Sequence, residues 1–542
     1  MLPSRYLPFA GVLLLTVVFT WALPWSPNAG VGVAAFGTLS LLGLWDLLQR
    51  KHALRRNFPL TARFRYLLES IGPEIRQYFI ESDTVELPFS RQQRAIVYQR
   101  AKDVLDKRPF GTQRDVYSDK YEWMNHSLQP APLNTHDFRI TIGEGRAQPY
   151  SASVFNISAM SFGSLSANAI LALNRGARQG GFYHDTGEGS ISRHHRVHGG
   201  DLVWEIGSGY FGCRTDDGHF DADRFAANAR DPQVKMIELK LSQGAKPGQG
   251  GILPAAKVSA EIAEARGVPQ GVECHSPAAH SAFSTPIELL QFVDRLRELS
   301  GGKPTGFKLA IGHPWEWFAI AKAMKQTGLL PDFIVVDGGE GGTGAAPLEF
   351  TDHVGAPMRE ALLLVHNTLT GLDLRPKVRI GAAGKIVTAF DMARTLALGA
   401  DWCNSARGFM FSLGCIQSQS CHTDRCPTGV ATQDPGRQAA LDPDDKGTRV
   451  FNFHRNTLVA LRDLLAAAGL HHPSELGPEH IIRRVSSTEV RSLAKLHHFV
   501  APGQLLAEVP EHPVFQVFWN QARAETFAAP AKAREMQASK LQ

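Results

Sequence analysis

The stretch DFIVVDGGEGG, residues 332–342, decides the fold. Phe333 to Val336 are uniformly apolar, two of them valines, and the run ends at once in Asp337 and four nearby glycines. A short apolar run of this kind reads as a strand buried on both faces, and the glycines after it let backbone approach a ligand closely. Working outward, the same form recurs as SVFNISAM (153–160), FYHDTGEG (182–189), QVKMIELKLSQG (233–244), GVECHSP (271–277), TGFKLAIG (305–312), KVRIGAAG (377–384) and ADWCNSARG (400–408). Each is followed by a stretch with helical spacing. Eight such runs predict parallel strands with crossover helices closed into a (β/α)8 barrel, with an open doubly wound sheet as the alternative. In a barrel the chemistry sits on the loops after the strands, which is where the unusual residues of this chain fall.

Composition sets the frame around that body. The 542 residues are 43% hydrophobic and 20% charged with 50 glycines, as expected of a folded chain, long enough for one large domain with additions or for two or three ordinary domains. A net charge of +5 is small for this length, and no basic run interleaved with aromatics argues for nucleic acid. Six cysteines are too sparse for a secreted disulfide framework, so a reducing compartment is expected.

The N-terminus departs from the rest. LPFAGVLLLTVVFTWAL (7–23) and GVGVAAFGTLSLLGL (30–44) are uncharged and joined by PWSPNAG. Each approaches the roughly 20 residues a helix needs to cross a bilayer, and together they read as a transmembrane hairpin over residues 1–50. A cleaved signal peptide is the alternative for the first run. Arg50, Lys51, Arg55, Arg56, Arg63 and Arg65 follow the second run, so the positive-inside rule places the remainder in the cytoplasm. Residues 51–150 are expected as a helical adaptor, from the spacing in ARFRYLLESIGPEIRQYFI and from Ser90 as an N-cap. Residues 436–542 are expected as a helical extension containing TLVALRDLLAAAGL.

Two loops suggest phosphate. RIGAAGK (379–385) and NSARG (404–408) close the seventh and eighth runs, where barrels cradle phosphate with backbone N–H groups. FMN is the first choice of cofactor, and no GxGxxG string supports a Rossmann site.

Several strings then resemble the FMN-binding synthase domain of glutamate synthases: SAMSFGSLS (158–166), DTGEG (185–189), SQGAKPGQGG (242–251), GGTGAAP (341–347), and C-x5-C-x4-CPTGVATQDP from Cys415. The resemblance covers about Ser153 to Pro435 and implies a (β/α)8 barrel over 151–435 holding FMN and a three-iron four-sulfur (3Fe-4S) cluster. It places flavin on Met160, Ser161 and Gly163, with Lys308 and Gln243 at the ring system, Gly341, Gly342 and Gly344 nearby, and Gly384, Ser405, Ala406 and Arg407 around the phosphate. Glu188 and Lys246 match positions beside the substrate carbon and flavin. Catalysis is thus expected from Lys246, Glu188 and Gln243.

The metal ligands expected are Cys415, Cys421 and Cys426. Thiolates suit iron–sulfur clusters, and a cubane lacking one iron needs three. Zinc with His422 as a fourth ligand, and plain buried thiols, stand as alternatives. Cys213, Cys274 and Cys403 read as packing. The implied activity is hydride transfer to an imine formed from a 2-oxo acid, 2-oxoglutarate by default, and ammonia or an amine. Electrons would come from an external donor, ferredoxin or a flavoprotein, since no NAD(P)H-binding unit is visible.

Departures from the family form concern the substrate. Met1 and Leu2 stand where a glutaminase nucleophile would begin the chain, and the family's large C-terminal β-helix is not found. Ile252 replaces a glutamine in GGILPA, Gln249 stands where an acidic residue is usual, and Tyr210 replaces an arginine. These changes leave open an oxidoreductase of another amino acid or of an N-alkylglutamate coupled to a respiratory chain, or an electron relay. His194, His195 and His198 are read as lining a loop near the site, with a metal cluster as the alternative.

Overall fold

The computed structural model describes residues 3–84 and 87–529. Eight parallel strands close into one barrel: Phe155–Ile157, His184–Asp185, Leu202–Ile206, Val234–Lys240, Thr305–Leu309, Phe333–Asp337, Arg379–Ala383 and Trp402–Ser405, each paired with its neighbours and the last with the first. The barrel is the expected one, with one substitution among its strands. GVECHSP is not a staple of the barrel; Cys274–His275 instead pairs antiparallel with Ile252–Leu253 in an excursion between the fourth and fifth strands. The third strand is Leu202–Ile206, whose five residues are all buried. Burial explains the exchange: His275 is exposed and cannot line a barrel wall, whereas LVWEI hides every side chain.

The crossover helices start and stop on local signals. Ser166 caps Ala167–Gly180 by accepting from the Ala169 N–H, and Gly181 ends it in the left-handed region. Thr285 with Glu288 and Thr388 with Asp391 form capping boxes on Pro286–Leu299 and Ala389–Ala397. The long helix Pro443–Ala468 lies against Ala167–Gly180.

The barrel interior is layered. An antiparallel hairpin, Arg139–Ile142 with Tyr150–Ser153, lies against the barrel floor. Its Ile142, Tyr150 and Ala152 pack with Tyr183, Val203, Met236, Phe333, Val335 and Trp402 in one apolar cluster. Strand alternation then carries charged residues inward one step higher, with Glu205 beside Glu238 and Lys240 beside Lys308 in register.

The expected helical adaptor is helical only as far as Ala101. Beyond it RPFGTQRDVYSDK breaks into turns, and the chain enters Glu122–Met124, which pairs with Ile481–Arg484 of the C-terminal region; Val490–Ser492 completes that small sheet. The C-terminal region thus joins its long helix to strands as well as short helices.

Two compact units emerge, one ending at Arg91 and one beginning at Gln92. The first is built on the helices Leu7–Ala22 and Ala29–Leu48. Gly32 and Gly43 let the helices approach, because a Cβ at either would collide with Phe19 or Phe9. Thr16 and Ser40 hydrogen bond across them at 2.8 Å. Both helices are long and apolar enough to cross a membrane, and little of either is buried within the protein.

Candidate functional site

The carboxyl ends of the strands bring the expected residues to one end of the barrel. After the first strand Met160 is buried, and the Ser161 hydroxyl accepts from the Gly189 N–H at 3.2 Å. Gly187, with φ +63°, leaves the space that its absent Cβ would take from the Ser161 nitrogen 2.6 Å away. The Gly163 carbonyl accepts from the Gln433 side chain at 3.0 Å, so the cysteine-bearing segment is fastened to the first loop.

At the seventh and eighth strand ends, Ser405 is buried and donates to the Ile386 carbonyl at 2.6 Å. Ala406 and Arg407 follow half-buried, and the Arg407 guanidinium lies 3.7 Å from where a Gly342 Cβ would stand. The Gly341 N–H donates to the Gly338 carbonyl at 2.9 Å. Gly384 packs under Met358, whereas Gly344 is exposed with nothing within 4 Å of its missing Cβ.

The catalytic candidates Glu188 and Lys246 share one neighbourhood with Lys240, a residue that sequence reasoning missed. The Lys240 ammonium pairs with Glu188 Oε2 at 3.2 Å, and the Ser276 hydroxyl donates to the same oxygen at 3.4 Å. Burial alone would raise the Glu188 carboxyl, but Lys240, Arg266 and Lys246 together hold it below the usual carboxylate range. Lys246 is buried, which lowers its ammonium, and Lys240 adds to that while Glu188 opposes it. Gln243 lies half-buried in the same loop. Charges at alternate positions of a largely buried strand, Glu238 and Lys240 of VKMIELK, were the signal for both residues.

Below these groups lies a layer of buried charge. Asp185, Glu205 and Glu238 bring carboxylate oxygens within 4.8 Å of one another, and the Lys308 ammonium bonds Glu205 and stands 3.8 Å from Glu238. Asp337 adds a fourth carboxyl, accepting from the Gly244 N–H at 3.0 Å. Burial, then the neighbouring Glu205, pushes Asp185 up to about 7 against the pull of Lys308. Burial and Asp185 raise Glu238 well above its ordinary value. Burial works against the Lys308 charge, yet the surrounding carboxylates raise its pKa well above the usual lysine range. Lys308, expected at the flavin ring, thus stands among four carboxyls with Lys240 beside it in register, and burial draws Asp185 and Glu238 toward their protonated forms.

The thiols of Cys415 and Cys426 are buried and that of Cys421 is partly exposed. Cys426 would be raised by burial, but backbone N–H groups of Ala431, Thr428 and Val430, with the Thr428 hydroxyl, bring it below the usual thiol value. Burial raises Cys415, and Cys421 and Cys426 are near enough to add to that, while Arg407 opposes it. Lys257 reaches in from the excursion, donating to the Cys421 carbonyl at 3.0 Å and standing 3.8 Å from Asp424. Tyr98 donates to the Cys415 carbonyl at 2.6 Å. Cys213, Cys274 and Cys403 are buried apart from this group, as packing residues.

Three substrate-side expectations resolve differently. Ile252 is 45% exposed, next to Gly251, whose missing Cβ would collide with Glu188. Tyr210 is fully buried with φ +48°, and its hydroxyl accepts from the Ala282 N–H and meets His280 Nδ1, both at 3.1 Å. It braces the loop from within through these two contacts. Gln249 is half-buried, with its side-chain oxygen enclosed. The histidines do not converge: His195 caps its own turn through Ser192, His194 bonds Glu261 at 2.9 Å, and His198 is half-buried.

Comparison with known proteins follows this geometry. The conserved region of glutamate synthase matches residues 112–471. A glutamate synthase large subunit-like protein of Bacillus subtilis, YerD, is 38% identical over 498 residues, covering 84% of this chain and 94% of that one. The archaeal-type glutamate synthase [NADPH] of a Thermotoga species is 35% identical over 334 residues, covering 61% of this chain and 62% of its own length. Among solved structures, a flavocytochrome b2 variant aligns at 13% identity over 83% of this chain and 91% of its own, with a TM-score of 0.39. The match over 112–471 and the relatedness to the Bacillus protein place this chain in the glutamate synthase family.

Proposed function

We propose that this protein is a membrane-anchored flavin and iron–sulfur oxidoreductase that forms an amino acid by reducing the imine of a 2-oxo acid, 2-oxoglutarate by default, with ammonia or an amine. The observation that carries the reading is the pair of lysines, Lys240 and Lys246, around the ionised Glu188 at the ends of the second and fourth strands.

FMN fits the neighbouring loops: Ser405, Ala406, Arg407 and Gly384 would hold the phosphate, and Met160, Ser161 and Gly163 the ring side, with Gly341 and Gly342 close by. Bound there, FMN supplies hydride transfer from N5. Lys246 is placed to hold the substrate carboxylate, and a lysine at the barrel mouth is desolvated enough for that contact to be strong. Glu188, kept ionised by its cationic neighbours, is placed to accept and return a proton at the imine nitrogen. Ser276 fixes its carboxylate, and Gln243 completes the polar wall.

A 3Fe-4S cluster fits Cys415, Cys421 and Cys426. Backbone N–H groups already aim at the Cys426 sulfur, as cluster thiolates require. Electrons then come from an external donor, a ferredoxin or a flavoprotein. The positive residues after the second span support a cytoplasmic position for the barrel.

The test is anaerobic purification in detergent, spectra of flavin and cluster, and a screen of 2-oxo acids with ammonia or amines for reoxidation of the reduced flavin. Reoxidation by 2-oxoglutarate with ammonia is the expected result, and a preparation without flavin sinks the reading. Ile252, exposed beside Glu188, favours as a second reading a substrate with an apolar substituent, such as an N-alkylglutamate oxidised by a respiratory chain. Reoxidation by quinone alone would select it.

A further inference from the structure

The helix Thr61–Ile75, just after the apolar hairpin, wears its apolar residues on the outside. Phe64, Leu67, Leu68, Ile71 and Ile75 fall at positions i, i+3, i+4, i+7 and i+11, one stripe of an α-helix, and all are exposed, Phe64 at 64%. The stripe runs on into Phe79, which is 85% exposed. The opposite side is the packed one: Ala62 is buried, and Tyr66 lies under the Arg55 guanidinium at 4.8 Å. A helix of a water-soluble body would have the reverse arrangement.

The hairpin fixes the level at which this helix begins. Asp46, two residues before the end of the second apolar helix, is fully buried. Its carboxylate accepts from the Leu60 N–H at 3.2 Å and from Arg63 at 2.9 and 2.8 Å. Trp45 beside it is 63% exposed, in the place of an interfacial belt residue. The first turn of Thr61–Ile75 therefore sits within a helical turn of the end of the span. Arg50, Lys51, Arg56 and Arg65 are exposed around it, a cluster suited to anionic headgroups.

We propose that the Phe64–Ile75 stripe is a second membrane-binding element, lying in the headgroup and acyl boundary of the bilayer that the hairpin crosses. The proposal rests on reading the hairpin as membrane-spanning. An amphipathic helix with basic flanks and aromatic and aliphatic residues on one face binds in this way. At about 22 Å long, it would extend the anchor along the surface.

The full chain, reconstituted in phosphatidylcholine vesicles containing phosphatidylglycerol, tests this by depth. An environment-sensitive fluorophore is placed at Leu68→Cys, Ile71→Cys, Glu69→Cys on the polar side, and Val17→Cys within the first span, with labelling of the unaltered chain subtracted. Lipids spin-labelled near the headgroup or deep in the acyl chain serve as quenchers. Expected is at least twofold stronger quenching by the shallow than by the deep label at positions 68 and 71, little quenching at 69, and deep quenching at 17. Quenching at 68 and 71 no greater than at 69, with 17 still quenched, overturns the proposal and leaves the hairpin standing. Cross-linking between copies through Leu68→Cys would in that case assign the stripe to a second copy of this chain. Loss of quenching at 17 overturns the hairpin reading and the proposal together.

Discussion

The two units of this protein bury opposite kinds of residue. The hairpin unit turns leucines, valines and tryptophans outward and hides one carboxylate, Asp46, against Arg63. The barrel hides its apolar floor as a water-soluble core does, and then stacks on it a layer of four carboxyls around the Lys308 ammonium. In both, a buried charge is kept only with a partner, because an unpaired ion in a low-dielectric interior costs several kcal/mol. The difference is the number of partners. Asp46 has one guanidinium and a backbone N–H, so its ion pair is complete. The barrel layer has more acids than bases, so its balance depends on protons, and that dependence makes it adjustable.

The strongest way to break the comparison is Lys308→Met. With the ammonium gone, Glu205 loses its buried ion-pair partner. A loss of about 3–5 kcal/mol is expected, as for one partner removed from a buried pair, read as a lower denaturant midpoint. Adding Glu205→Gln should recover part of it, so that the double variant loses less than the sum of the singles. An unchanged midpoint for Lys308→Met would mean that the layer is hydrated.

The proton content of the layer predicts a pH dependence with a definite sign. Asp185 has its pKa raised to about 7 from an ordinary 3.8, first by burial and then by Glu205. The folded protein therefore binds a proton that the unfolded chain releases. Its contribution to stability is full below about pH 4 and falls as pH rises through about 7. Midpoints measured from pH 5 to 8 should decline in the parent and flatten in Asp185→Asn. A slope equal in the two proteins would remove Asp185 as its source.

Much of the barrel was legible because its strands are short apolar runs ending in glycine, as at Phe333–Asp337 and Arg379–Ala383. The third strand was passed over because Trp204 and Glu205 interrupt the aliphatic pattern of LVWEI, although all five residues are buried. GVECHSP took its place because valine and cysteine beside a proline look like a strand end, and only closure of the barrel shows it to be part of an excursion. The cysteine spacing and the loop motifs were visible as strings. The charged layer was not, since Asp185, Glu205, Glu238, Lys308 and Asp337 come from five strands and meet only across the closed interior. Lys240 lay in a quoted run, and its partner Glu188 was singled out, but their pairing at 3.2 Å joins the end of the fourth strand to the loop after the second and is a property of the closed barrel rather than of either segment.

Glu188→Gln sharpens the contrast between the charged layer and the site above it. The amide keeps the shape and can still meet Ser276, but it removes the charge that Lys240 and Lys246 share. Turnover should fall about a hundredfold, the lower range for removing a positioned acid or base, with flavin absorbance and denaturant midpoint nearly unchanged. An equal loss in turnover and in flavin content would make Glu188 a structural support of the cofactor loops instead.

The smallest effect belongs to the hairpin. Thr16 and Ser40 share a 2.8 Å hydrogen bond between the two apolar helices, while the Thr16 hydroxyl also bonds the Val12 carbonyl at 3.0 Å in its own helix. Thr16→Ala removes the first bond, and Ser40 can turn to a carbonyl of its own helix, so the loss should be about 0.6 kcal/mol, the average for such bonds between membrane helices. Thr16→Val keeps the volume and should cost the same, since the glycine contacts at Gly32 and Gly43 persist in both. Titration with a denaturing detergent in mixed micelles, followed by a fluorophore pair across the hairpin, has the resolution to read this. A loss several times larger would show that the Thr16–Ser40 bond, rather than the seating of Phe19 on Gly32 and Phe9 on Gly43, sets the register of the helices.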